Sequence, residues 1–238
     1  MLRTKAAKLH SDSIAWRSHE PSRLETFSDA VFAFALTLII VSIEVPKTFD
    51  ELYETMKGTI SFAICFTVLF HIWNLQNIFF RRFALKDNFT LVLNAILLFF
   101  VLIYAYPLKF LSVLIFADQE SKHLMIRTDQ VRELMLVYGA GFLVIHLLFY
   151  LMYRNAKKFA LQIGLTAPEL FETATLSGIN LICVFVCILA MTVTCLVPPN
   201  FYGFSGFMYF LIPVAYSTWF SYRGKKKRRT FGDAPIVG

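Results

Sequence analysis

The sequence predicts an all-α membrane protein of six transmembrane helices with both termini on the cytoplasmic side. Three observations carry that expectation. Hydrophobic residues make up 57% of the 238-residue chain and charged residues only 16%, against about 45–50% and about 25% in a soluble domain. Six stretches reach the roughly 20 apolar residues that a spanning helix needs. Lysine and arginine are also shared out very unevenly between the alternate connections that those stretches leave.

The elements follow in order. Residues 1–22 carry charges and two histidines without an apolar block, so no secretory signal is expected and the segment predicts a cytoplasmic lead. Helix one covers 26–45 and stops before Pro46; helix two covers 59–80 and stops at Arg81-Arg82. Helix three, 89–116, starts after Lys86-Asp87. It is long, and Tyr104 and Pro107 near its end leave room for a tilt or a break. Helix four covers 132–153, Pro168 punctuates the next connection, and helix five covers 176–197. Val197-Pro198-Pro199-Asn200 is so short a link to helix six, 201–220, that these two must form an antiparallel hairpin. The expected layout is a cytoplasmic segment 1–22, a transmembrane domain 23–222 and a basic cytoplasmic tail 223–238.

Orientation follows from the basic residues. Five lie in residues 1–23, three in 81–86, three in 154–158 and six in 223–229; the other six, Lys47, Lys57, Lys109, Lys122, Arg127 and Arg132, fall on the opposite side. Positively charged connections stay inside, so both termini face the cytoplasm. The tail "YRGKKKRRT" supplies most of the +7 net charge. Contact with anionic lipid headgroups explains it better than nucleic acid, at about 1 kcal/mol per basic residue.

Several chemistries are missing. The chain has no HExxH, no GxSxG, no glycine-rich phosphate loop and no pair of intramembrane aspartates, so neither an enzyme nor an ATP-driven pump is expected. His71 and His146 sit alone in apolar helices and read as interhelical hydrogen-bonding residues. Cys65, Cys183, Cys187 and Cys195 lie in apolar runs without a CxxC pair and read as packing residues, with no cofactor or metal. "FYGFSGF", 201–207, lacks a TVGYG run and reads as a hairpin turn.

Helix one carries two different faces. At about 100° per residue, Phe34, Thr37, Leu38 and Val41 fall in one narrow stripe, while Ser28 and Asp29 lie on the far side near the inner end. From periodicity alone the stripe suits packing or lipid contact. A charge such as Asp29 costs roughly 2.5–3.5 kcal/mol at the centre of a spanning helix, so it needs a partner or a task. Helix two returns to similar depth with Trp73, Gln76, Asn77 and Phe80 on one face. Asn94 lies about two turns into helix three. Lipid offers no hydrogen bonds, and three helices with polar groups at one level are expected to satisfy one another.

Arg23-x-x-x-Phe27-Ser28-Asp29, followed by "AVFAFALTLIIVSIEV", resembles the signature of the lysosomal potassium channel family of the transmembrane-protein-175 type. Trp73, Asn94 and Pro107 support the resemblance. It covers roughly residues 23–110 by motif and the last three helices by topology only. What it implies is a single-repeat bacterial member in the plasma (inner) membrane: a homotetramer whose first helices line a central pore, passing potassium and possessing no carbonyl filter, with proton permeability open. By the resemblance Phe34, five places after the Asp, forms the constriction or gate, with Leu38 and Val41 lining later turns and Thr37 as a hydroxyl beside the pore. Arg23, Phe27, Ser28 and Asp29 anchor the helix base against Trp73, Gln76, Asn77 and Asn94. The chain departs from the pattern twice: Phe34 stands where a branched aliphatic residue is usual, and Gln76 where a histidine is usual. The alternative is a secondary ion or solute transporter, marked by coupled and saturable uptake.

Overall fold

Local sequence sets where each helix starts. Ser22 Oγ accepts the Glu25 backbone N–H at 3.3 Å while Glu25 Oε2 accepts the Ser22 N–H at 2.6 Å, a reciprocal cap that satisfies two amides with no intrahelical partner. Thr166 and Glu169 repeat this arrangement at a later helix, with Pro168 in its first turn. Asp87 closes a third start by accepting the Thr90 N–H at 3.1 Å.

In this computed structural model, residues 16–18, 20–41, 46–57, 59–116, 125–127, 130–198 and 208–232 are described. They form α1 (Arg23–Val41), α2 (Phe49–Lys57), α3 (Thr59–Phe83), α4 (Asn88–Phe116), α5 (Val131–Lys158), α6 (Ala167–Leu196) and α7 (Leu211–Phe231), the last preceded by a 3-10 turn at Met208–Phe210. The all-helical expectation holds among these residues. Four helices, α3 to α6, are long and apolar enough to cross a membrane. Residues 1–15, the 42–45 end of the first predicted span, the 201–207 turn and the tail after Gly232 lie outside the described residues.

Three of the boundaries that differ from expectation have a local cause. The short polar α2 was not anticipated; Thr48 Oγ1 accepts the Glu51 N–H at 3.2 Å and starts it. Helix α6 begins nine residues before 176, because the Thr166–Glu169 cap and Pro168 start a helix ahead of the apolar run. Helix α7 continues through the basic cluster to Phe231 and ends at Gly232, whose φ of 72° suits only glycine without strain. At Pro107, α4 stays helical. Tyr138 Oη donates to the Pro107 carbonyl at 2.5 Å, and Tyr104 Oη donates to the Tyr138 carbonyl at 2.8 Å.

Helix α1 packs on α3 and α4, α4 packs on α5, α5 and α6 form the most extensive pair, and α7 lies on α6. Gly141 lets α4 and α5 approach: a Cβ there would sit 2.0 Å from the Tyr104 ring. Phe79, Phe83, Phe149, Leu97 and Met152 are fully buried between α3, α4 and α5. Helices α6 and α7 run antiparallel, since Trp219 Nε1 donates to the Thr175 carbonyl at 3.0 Å and the later Arg223 reaches back to the Phe171 carbonyl at 2.9 Å. Two basic residues at the other end of the bundle serve helix C-termini. Lys109 Nζ donates to the Ile39 carbonyl at 3.2 Å and Arg132 Nη2 to the Cys195 carbonyl at 3.1 Å, where the helix dipole favours a cation.

Candidate pore helix and its anchor

The buried face of α1 is Ser28, Phe32, Ala35 and Ile39, spaced for one side of a helix. It lies against α3 and α4. The opposite face is open: Phe27 is 62% and Phe34 57% exposed, and Ala30 and Thr37 are exposed with them. Leu38 is half-buried. Val41 ends the helix, its side chain outside the described set. The Thr37 hydroxyl donates to the Ala33 carbonyl at 2.9 Å, so its one donor is used while its oxygen can still accept.

The polar groups predicted at one level do meet, though not all of them. Asn94 Nδ2 donates to Ser28 Oγ and Gln76 Nε2 donates to Asn94 Oδ1, both at 3.0 Å. The Ser28 hydroxyl in turn donates to the Leu24 carbonyl at 2.8 Å. Three helices are thereby joined through three side chains that are all essentially inaccessible. Asp29 stands outside this chain of bonds. Its Oδ1 accepts from Trp73 Nε1 at 2.6 Å. The side chains of Asn77 and Arg23 make no hydrogen bond among the described residues, and Arg23 is exposed. A cleft of about 340 Å³ opens between α1 and α3 beside Asp29 and Trp73, otherwise lined by Phe32, Ala33, Leu36, Leu69 and Phe70.

Two sets of residues escaped the sequence reading. One joins α4 to α5: Asn155 Nδ2 donates to Asp87 Oδ2 and to Thr90 Oγ1, both at 3.0 Å. Burial works to raise the Asp87 carboxyl, but the bonds from the Thr90 hydroxyl, the Thr90 N–H and Asn155 outweigh it and hold the group below the usual value of 3.8. The other set gathers on the first turns of α6. Arg17 pairs with Glu169 at 3.0 Å, and Lys227 pairs with Glu172 at 2.5 Å. Arg223 lies 3.7 Å over the Phe171 ring and donates to Thr175 Oγ1 at 2.8 Å. The patterns Ser22-x-x-Glu25 and Thr166-x-x-Glu169 were readable as helix starts; their partners were not. Among the described residues no cluster of His, Cys, Asp and Glu could hold a metal.

Residues 23–107, which hold α1, the anchor and most of α4, match the family described as the endosomal/lysosomal potassium channel TMEM175. A potassium channel of Marivirga tractuosa is 37% identical over 234 residues, covering 93% of this chain and 95% of the relative. A potassium channel of Chamaesiphon minutus is 26% identical over 145 residues, covering 58% of this chain and 66% of its own length. The crystal structure of a variant of the potassium channel MtTMEM175, bound to a nanobody–MBP fusion, has a TM-score of 0.79 at 36% identity, covering 87% of this chain and 97% of that one. Homologues and fold alike are those of a potassium channel and not of an enzyme. With an apolar helix anchored by buried polar bonds, and with a relative this similar along almost its whole length, the chain belongs to the TMEM175 potassium channel family.

Proposed function

We propose that the chain is a passive potassium channel of a bacterial plasma membrane, a homotetramer in which α1 of each copy lines a central pore. The observation that carries this reading is the exposure of Phe34 and Thr37 on the α1 face turned away from α3 and α4. One copy cannot enclose a hole, and a closed ring of identical copies supplies the missing partners. The potassium channels to which the chain is similar favour the same ion.

In this reading Phe34 forms the constriction, Leu38 and Val41 line the following turns, and Thr37 offers a hydroxyl beside the path. A ring of phenyl groups gives an ion no oxygen ligands, so it gates by excluding water rather than by a carbonyl filter. Ser28, Asp29, Trp73, Gln76 and Asn94 hold the helix base; Arg23, Phe27 and Asn77 complete the anchor with a neighbouring copy or lipid. Six spans, completed by α1 and α7, put both termini in the cytoplasm. Residues 1–22 form the inner lead, 23–222 the transmembrane domain and 223–238 the tail. Arg223 and Lys227 are turned to α6, so Lys225, Lys226 and Arg229, all exposed, are the tail residues that meet anionic lipid.

The test is cation flux in liposomes at matched protein content. Phe34→Ala should raise potassium flux and Phe34→Asn should raise it further by adding polar atoms. Unchanged flux with an intact tetramer removes Phe34 from the gate. Flux that saturates and depends on a second ion points to a secondary transporter instead. A proton current with potassium absent is the measure of proton permeability.

A further inference from the structure

The guanidinium of Arg17 is fully committed. Nε donates to the Ile163 carbonyl at 2.8 Å; Nη1 donates to the Arg82 carbonyl at 3.2 Å and Glu169 Oε1 at 3.1 Å. Nη2 donates to the Gly164 carbonyl at 3.1 Å and Glu169 Oε2 at 3.0 Å. All the donors that arginine possesses are used, and the two Glu169 bonds form the paired geometry that lysine cannot reproduce. The backbone beside it is held as well. The N–H groups of Arg17 and Ser18 donate to the Arg81 carbonyl at 2.9 and 3.1 Å, and the Arg81 guanidinium lies 3.5 Å over the Trp16 ring. Glu169 is 2% exposed.

We infer that Arg17 is a positioning residue for α1: its ion pair with Glu169 locks the base of that helix to the α5–α6 connection and thereby sets the resting width of the Phe34 constriction. The statement about the constriction rests on the proposed channel function; the positioning itself does not. Helix packing joins α1 to α3 and α4, so the strap is a separate tie, reaching the start of α6. Between Arg17 and the first residue of α1 the sequence has only five residues, and Pro21 restricts its own backbone and that of Glu20 before it. So short a lead transmits a shift of Arg17 to the helix base. Removing either partner of a buried charged pair leaves the other uncompensated, and the strap is then expected to lift.

Two measurements on the full chain test this. For the first, spin labels are placed at Thr26 and Leu161, both exposed, in a background where the exposed Cys195 is serine. The distance distribution should be narrow in the parent and should broaden with Arg17→Ala and with Glu169→Gln. Glutamine keeps the cap with Thr166, because it serves at that helical position as glutamate does, so α6 still starts where it did. The second is potassium flux per tetramer in liposomes. Each single variant should raise flux by roughly 2- to 30-fold, the span over which side chains outside a ligand site alter coupling. The double variant should add little to either single one. Thr166→Ala removes the cap and the 3.0 Å hydroxyl bond to Glu169 Oε2 but keeps both charges of the pair, so it should lower the melting temperature and raise flux less than either charge variant. Unchanged distances in Arg17→Ala overturn the proposal, as do additive flux effects or a loss of stability alone. A parent protein that conducts nothing overturns the channel reading instead, while the distances, which need no conduction, still decide whether Arg17 positions α1.

Discussion

Trp73 donates its indole N–H to Asp29 Oδ1 at 2.6 Å, so the acidic residue at the start of the apolar helix is held by a donor on α3. The bond crosses the α1–α3 boundary at the mouth of the cleft between those helices. Hydrogen bonds to a charged acceptor are worth about 1.5–3 kcal/mol, while neutral interhelical bonds in membranes average about 0.6 kcal/mol. Trp73→Phe keeps the ring and removes the donor. It should lower stability by about 1 kcal/mol, seen as a lower melting temperature in detergent. Asp29→Ala should do the same and weaken assembly. A stable tetramer with altered ion preference would show that Asp29 serves the ion directly.

The buried bonds of Asn94 should be worth more. Asn94→Ala strands the Gln76 amide and removes a donor from Ser28, at about 1–3 kcal/mol for an unsatisfied buried group. Asn94→Ala combined with Gln76→Leu should cost less than the sum of the two, because the stranded amide is gone. Melting temperatures of the two singles and the double decide it; strict additivity would mean that the residues act independently.

The bonded Asp87 carboxyl gives a pH signature. Its value in the folded protein is depressed below 3.8, so its contribution is fully present above that value. The contribution is lost as pH falls through the lower folded value. Asp87→Asn should therefore lower the melting temperature at neutral pH. The gap to the parent should shrink below about pH 4, where the unfolded carboxyl is protonated. A gap that stays constant down to acid would mean that charge contributes nothing at this cap.

At Gly141 the contact is steric. An added methyl 2.0 Å from the Tyr104 ring must move that ring and its bond to the Tyr138 carbonyl. Gly141→Ala should cost about 1–3 kcal/mol, as overpacking does. Tyr104→Ala in the same chain should recover part of that loss; no recovery would place the strain elsewhere.

Much of this molecule is written locally. Spans such as 89–116 are legible because a chain in lipid must bond its backbone within itself, which turns a long apolar run into a helix. The shared level of Ser28, Gln76 and Asn94 followed from the same reasoning, since polar groups far from water need one another. Helix starts at Ser22 and Thr166 were available as capping patterns, although the early start of α6 shows that a cap can outrank the edge of an apolar run.

What the tertiary structure decided is the choice of partners. Asp29 takes Trp73 rather than Asn77, although Trp73, Gln76 and Asn77 share a helix face, because the rotation of α3 against α1 selects among them. The same holds for the basic residues. Arg223 and Lys227 read as lipid-facing in a run of like charges, yet the antiparallel seat of α7 brings them to Phe171 and Glu172. Arg17 and Glu169 are 152 positions apart, and no spacing rule connects them. The sequence by itself determined the helices and the need for polar partners, which depend on neighbouring residues and on the solvent. Only packing could assign the pairs, because contact between distant residues depends on how the helices are ordered and turned against one another.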